Sequence, residues 1–319
     1  MPRGLFAQCA TVLFEAPPTL AQLEQALAAI DARPFRREAA SEQASWVGHN
    51  DELALAYAPE GRPRGQILVD VLRAPYPDSM GDPEEDAELF GAWTLAAFGP
   101  AAFPGNLARA VQHAVHWPEG ARDAAERHGA FVRFRLSYAL GKGPDAPVYP
   151  EGADPIHELV LLALLGQATL DLPGALAFFQ PGAELLLSQR DVRERLGRAR
   201  KQELPPVDVF AHARFVHVSD APGWSLMDTV GLDALFLPDQ EACFRPEAIS
   251  LDAVHGFLLD LACYLVQEGE VVKPGDTVEG PGGVWRCHAA PENALRPAPR
   301  RTLRWFPEGE DVPAVFRVE

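Results

Sequence analysis

Ala10-Thr-Val-Leu-Phe-Glu15, followed by Pro17-Pro18 and a helical stretch from Thr19 to Ile30, has a counterpart late in the chain. There Ala175-Leu-Ala-Phe-Phe-Gln180 leads through Pro181-Gly182 into a helical stretch from Ser188 to Gln202. Both runs are short, apolar and rich in β-formers, and prolines stop both before the helical pattern begins. Each copy then continues with two strand-like runs, a helix and a further strand. This order, met twice, predicts an α+β fold of two tandem ferredoxin-like (βαββαβ) units, with antiparallel sheets covered by helices.

In the first copy, Leu20, Leu23, Leu27 and Ile30 form one apolar stripe behind Thr19, which fits an N-cap. Pro34 ends that helix, and residues 36–45 read as a polar loop. Leu53–Tyr57 and Gln66–Leu72 read as a hairpin around the Pro59–Gly65 turn. Asn106 opens a helix, Trp117-Pro118 interrupts it, and a second piece covers Ala121–His128. The run from Ala130 to Tyr138 alternates Val132, Phe134 and Leu136 with Phe131, Arg133 and Arg135, the pattern of a half-buried strand.

The first unit therefore spans 1–140 and carries an acidic and aromatic insertion at 74–105. Residues 141–173 hold a Gly- and Pro-rich linker and a helix begun by Asp154-Pro155. That helix is apolar nearly all round, which predicts a buried connection between the halves. The second unit, 174–319, opens on a strongly charged surface helix. Val207–Val218 and Trp224–Leu237 read as two strands. Ser250 caps a helix that places Val254, Phe257, Leu258, Leu261 and Leu265 on one face. Val284–Cys287 follows as a strand, and Leu303–Phe306 in the Pro-rich C-terminal tail reads as an edge strand.

A hydrophobic share of 47% with 23% charged residues belongs to a soluble globular chain. The longest apolar run, Leu159–Leu165, is far short of the roughly 20 residues of a membrane span. The first residues have no apolar signal core, so the expected compartment is cytoplasmic and no membrane partner is expected. Cys9, Cys243, Cys263 and Cys287 are widely spaced without a C-x-x-C pair, which predicts reduced, mostly buried thiols. With 45 acidic against 28 basic residues the net charge is −17. Such a surface repels nucleic-acid phosphate and attracts a basic protein partner, or serves solubility alone.

No catalytic set emerges. Ser219 and Ser225 lack a G-x-S-x-G context, and neither a Walker sequence nor G-x-G-x-x-G occurs. His113 and His116 share a helix but have no further zinc ligands nearby in sequence, and His212 and His217 fall on opposite faces of one strand. No cofactor and no metal site is expected. The acid loop with Asp78, Asp82, Glu84, Glu85, Asp86 and Glu88 is too irregular for an EF-hand. It reads either as a solvated helix-capping loop or as a docking surface for a basic partner, with Tyr76, Phe90 and Trp93 as buried anchors. Asp70 and Asp228 interrupt apolar runs in Leu68-Val-Asp70-Val71 and Leu226-Met-Asp228-Thr-Val230. They would line a pocket between the two units, or strand alternation simply turns them to solvent, the plainer account.

Tyr76-Pro-Asp-Ser-Met-Gly-Asp-Pro83, Glu88-Leu-Phe-Gly-Ala-Trp93, Trp117-Pro-Glu-Gly120, Trp224-Ser-Leu-Met-Asp-Thr-Val-Gly231 and Gly269-Glu-Val-Val-Lys-Pro-Gly-Asp-Thr277 together resemble an uncharacterised bacterial domain-of-unknown-function family. The resemblance extends over most of the chain. It implies a cytosolic protein of the kind encoded near type VI secretion or polymorphic-toxin genes, acting as a toxin-immunity or effector-accessory protein. It transfers no catalytic residue. The expected function is a non-catalytic protein-binding module for a basic partner such as a toxin or effector. The rival is a hydrolase-type enzyme or small-ligand sensor.

Overall fold

The computed structural model describes residues 4–143, 145–218, 220–290 and 300–316. Ser219, the 291–299 stretch of the Pro-rich tail and the His217 side chain lie outside the described residues. The chain divides into two compact units, 1–198 and 199–319. Among the described residues, eight helices and two sheets rich in antiparallel pairs make a mixed α+β fold.

The first unit runs β1 (Gln8–Phe14), α1 (Leu20–Ala28), β2 (Pro34–Glu38), β3 (Asp51–Tyr57), β4 (Gly65–Leu72), α2 (Ala87–Thr94), α3 (Asn106–Gln112), α4 (Pro118–Arg127), β5 (Ala130–Ser137), α5 (Pro155–Thr169), β6 (Ala175–Gln180) and β7 (Leu185–Leu187). The division at Arg198 falls inside α6 (Gln189–Gln202). One sheet holds the strands in the order β2-β3-β4-β5-β1-β6-β7, every pair antiparallel. Thr19 starts α1 with a full capping box, its hydroxyl taking the Gln22 N–H while the Gln22 side chain takes the Thr19 N–H. Asp154 starts α5 by accepting from the Ile156 and His157 N–H groups.

Helices cover both faces of this sheet, and so all seven residues of β1 and all eight of β5 are buried. Leu13, Leu72, Phe131 and Phe179 face a layer that holds Tyr76, Trp93, Phe98 and Leu107. On the other face α5 lies on β1 and β6. Gly166 makes that approach possible, since a Cβ there would stand 2.6 Å from the Phe178 ring.

Four expectations are corrected by this sheet. In a ferredoxin-like unit β1 would separate β4 from β5; here β4 and β5 are direct neighbours, so the interleaved crossover is absent. The strand at 175–180, expected to open a second unit, is instead hydrogen-bonded to β1 in the first sheet. The apolar helix α5 packs on that sheet and α1. It is buried because the sheet has a second face to cover. Residues 34–38, read mostly as loop, form the edge strand β2. Its side chains are largely exposed and leave no alternating signature.

The second unit contains α7 (Val207–Phe210), β8 (His212–His217), β9 (Ser225–Val230), β10 (Asp239–Phe244), α8 (Leu251–Glu268), β11 (Thr277–Gly280), β12 (Gly283–Ala289) and β13 (Thr302–Pro307). The two long strands expected at 207–218 and 224–237 are shorter. Pro205 and Pro206 start a helical turn closed by Ala211 N–H on the Val207 carbonyl. Left-handed Phe236 ends a 3-10 turn that separates β9 from β10. Sheet order is β11-β12-β13-β10-β9-β8. The tail strand β13, expected at an edge, lies inside, parallel to β10 and antiparallel to β12. Both its faces have work: Trp305 packs with α8, and Phe306 packs with Trp224 and Phe316 on the other side.

Candidate functional site: an acidic cleft on the second unit

The acid loop is largely committed to its own fold. Asp78 accepts from the Leu107 and Ala108 N–H groups, each at 2.9 Å, and so caps α3. Asp82 accepts from the Glu84 and Glu85 N–H groups in a tight turn. Glu88 accepts the Trp46 N–H at 2.7 Å. Glu84, Glu85 and Asp86 are exposed, with Asp86 at the N-cap of α2 without a side-chain bond. Tyr76 and Trp93, expected as anchors for a partner, are core residues. Tyr76 meets Trp93, Phe98, Phe131 and Phe179 edge-on or tilted, and the Trp93 indole donates to the Ser79 carbonyl. Phe90 is half-buried.

Asp70 and Asp228 do not face solvent. Asp70 is 0% and Asp228 1% exposed, each inside its own sheet. Alternation points both to a face that other chain segments cover, and neighbouring strands bring arginines to each. Arg133 holds Asp70 at 2.6 Å and Arg135 at 3.3 Å, while Arg133 also donates to the Trp46 and Ala97 carbonyls. Burial pushes the Asp70 carboxyl up, but Arg133 and then Arg135 outweigh it and leave it below the ordinary carboxylate range. In the second unit Arg214 grips Asp228 through two bonds, at 3.0 and 2.7 Å, and Arg300 adds a third at 3.0 Å. The register continues this row, pairing Arg214 with Asp228, Asp228 with Glu241 and Glu241 with Arg304 across four strands. Arg304 closes it with an ion pair to Glu241 at 2.8 Å. These clusters are ion-paired and enclosed; their chemistry is that of structural locks.

The buried thiols follow the same logic. Burial pushes Cys9, Cys243 and Cys287 up to about 12, so each stays protonated. Cys263 is only half-buried, on α8.

The open, chemically mixed surface lies elsewhere, between α8 and the β11–β12 hairpin. Ser250 caps α8 through the Ala253 N–H, and Phe257, Leu258, Leu261 and Leu265 lock the helix to the sheet. Asp260 and Tyr264, one turn apart, fall on the helix flank beside that stripe, both exposed. Gly269 ends the helix with φ 81°, and the chain turns through Val271 into the Lys273–Asp276 turn. The Asp276 carboxylate accepts the Lys273 N–H at 2.8 Å. Gly275 N–H to the Cys287 carbonyl and Cys287 N–H to the Asp276 carbonyl fasten this turn to β12. At the hairpin end, Trp285 donates to the Pro281 carbonyl and its indole lies against Gly280, where a Cβ would stand 2.6 Å away.

The result is a cavity of about 710 Å³. Phe257, Trp305, Tyr264 and Val271 give it an apolar floor and wall, and Asp260, Asp276 and Glu279 stand on its rim. Tyr264 is 48% and Val271 45% exposed, so their apolar surface is open to a ligand. The volume is that of a ligand or side-chain pocket. An apolar slot with carboxylates at its mouth accepts a long cationic side chain, methylenes against the rings and charged head at the acids. The Gly269–Thr277 stretch and the α8 stripe are legible in the sequence, but this cleft is not. The visible signal was Asp260 and Tyr264 falling off the apolar stripe four residues apart; that Glu279 and Asp276 return to them depends on the hairpin.

A family model, described as a domain of unknown function (DUF4261), matches residues 228–306. The match runs from Asp228 in β9 to Phe306 in β13 and contains α8, the hairpin and every residue lining the cleft. Of the stretches that carried the resemblance, Gly269–Thr277 lies inside it and Trp224–Gly231 in part, whereas 76–93 and 117–120 lie outside. No curated protein and no solved structure matches the chain.

Proposed function

We propose that the chain is a non-catalytic protein-binding module whose second unit receives a lysine- or arginine-bearing segment of a basic partner in the cleft between α8 and β11. The observation that carries this reading is the union of exposed Tyr264 and Val271 with Asp260, Asp276 and Glu279 around one cavity. The net charge of −17 supports it, because a strongly acidic surface steers a basic partner towards such a cleft. A toxin or secreted effector is the partner class that the resemblance to bacterial domains of unknown function suggests, with an immunity or accessory role. The interface bet moves with the cleft: of the acid loop, Glu84, Glu85 and Asp86 remain available to steer, while Tyr76 and Trp93 are occupied in the core.

The test is titration calorimetry of the full chain with a Lys/Arg-rich peptide and with a candidate basic toxin. Asp260→Lys combined with Glu279→Lys should weaken binding at least about tenfold, equivalent to about 1.4 kcal/mol. Glu84→Lys with Glu85→Lys should slow association and leave the dissociation rate near wild type. Equal losses in both double variants would show non-specific charge attraction and sink the cleft assignment. A small-ligand sensor is favoured by one separate observation. Arg286, His288, Phe306 and Phe316 line a second cavity of about 580 Å³ in the same unit. A small molecule that raises the melting temperature, with the rise lost in His288→Ala, would favour that reading.

A further inference from the structure

Glu158 is 0% exposed in the first unit, its Oε2 has no hydrogen-bond partner, and among the described residues no cation is paired with it. The Tyr138 hydroxyl donates to its Oε1 at 2.5 Å and the Tyr149 hydroxyl at 3.3 Å. From β1 the Gln8 side chain also hydrogen-bonds it. The charged neighbour on its own helix is Asp154, a like charge. Arg62, the cation in this region, is engaged with Asp154 at 2.8 Å. Burial without a paired cation favours the neutral form of a carboxylate, here against the hydroxyl and amide donors, which favour the charged one.

A row of side chains leads from this carboxyl to the surface. Tyr138 meets the Tyr57 ring edge-on, with centroids 5.9 Å apart. The Tyr57 hydroxyl lies 2.9 Å from Nδ1 of His157. His157 is exposed at the start of α5, next in sequence to Glu158. Tyr57 comes from β3, Tyr138 from just after β5 and Tyr149 from the loop before α5, so three parts of the unit converge on the start of α5.

We propose that Glu158 is a buried proton-holding group, loaded from the surface through His157, Tyr57 and Tyr138. A solvent proton taken at Nε2 of His157 releases the Nδ1 proton to the Tyr57 oxygen. Tyr57 passes its own proton to Tyr138, and Tyr138 passes its own to Oε1 of Glu158. The carboxylate becomes a carboxyl, both tyrosines end neutral and reoriented, and His157 returns to its neutral form. Supporting this, burial first, and Asp154 with it, hold the Glu158 carboxyl above its ordinary value, against the hydrogen bonds from Tyr138, Gln8 and Tyr149. Burial pushes Tyr57 up to about 12 and raises Tyr138 and Tyr149 as well, so all three remain hydroxyl donors. Because the folded carboxyl is raised, its contribution to stability is full below the unfolded carboxyl's value and is lost as pH rises through the folded one.

The decisive measurement is a pH titration of the full-length wild-type chain carrying 13C-labelled glutamate side chains, which needs no variant to fold. One carboxyl carbon should titrate above the rest, and Glu158→Gln should remove that signal and flatten the acid-side slope of stability against pH. Tyr57→Phe should keep the titration midpoint but slow proton equilibration after a pH jump. A wild-type spectrum with every glutamate in the ordinary range, or a high-titrating signal that survives Glu158→Gln, overturns the proton-holding role. Wild-type equilibration rates in Tyr57→Phe overturn the path.

Discussion

Asp70 is held by two guanidinium groups from the adjacent strand, and the three side chains are between 0% and 1% exposed. Removing the acid leaves two buried cations facing each other. Arg135 already feels this: burial, and then the neighbouring Arg133, draw it down to about 10. Asp70→Ala should therefore destabilise the first unit by about 3–5 kcal/mol, read by chemical denaturation. A change under about 1 kcal/mol would mean the arginines find solvent, and the cluster would not be a lock. Asp239 offers the opposite case in the second unit. Burial, opposed first by Arg300, raises it from 3.8 to about 6, with Thr229 and the Leu232 N–H donating to its Oδ1. The folded state binds its proton more tightly than the unfolded state, so this contribution is present below about 3.8 and disappears as pH climbs through about 6. Asp239→Asn should remove that slope between those pH values, measured as melting temperature against pH.

At the scale of elements, a helix start and a hairpin end carry most of what positions the loops. The Asp78 carboxylate takes two N–H groups at the start of α3, so its role is local and structural. Asp78→Ala should cost about 0.5–2 kcal/mol of stability and leave partner affinity unchanged. A large affinity loss at unchanged stability would instead return the acid loop to the interface. Gly280 is hemmed in by the Trp285 indole and by Phe257, which would lie 2.6 and 2.9 Å from a Cβ at that position. Gly280→Ala should shift the hairpin away from α8, costing about 1–3 kcal/mol by overpacking. It should weaken binding at the cleft in the same calorimetric assay, because Glu279 and Thr277 move with the strand. The elements most legible in the sequence were those with their own local signals: the Thr19 and Ser250 caps, the Asp154-Pro155 start, and the stripe of α8. The edge strand β2 had none, and β13 was legible as a strand but not as an interior one, since neither shows the alternation of a half-covered strand.

For the whole molecule, a net charge of −17 acts at long range and falls off with salt. Association with a basic partner should slow markedly between low salt and about 0.15 M ionic strength, where the screening length is about 8 Å, while the dissociation rate changes little; stopped-flow mixing reads both. Among the described residues no helix is long and apolar enough to cross a membrane. The sequence alone determined composition, charge, helix starts and the mixture of strands and helices, because these depend on residue type and near neighbours. It also displayed the likeness of 10–15 to 175–180, which implied a repeat. Tertiary structure decided that these two strands are partners in one sheet, since pairing depends on which surfaces remain to be covered. It likewise decided that Asp70 and Asp228 meet arginines rather than water, and that Asp260, Asp276 and Glu279 share one cleft. Strand order and hairpin geometry bring those groups together, and neither is written in any local stretch of chain.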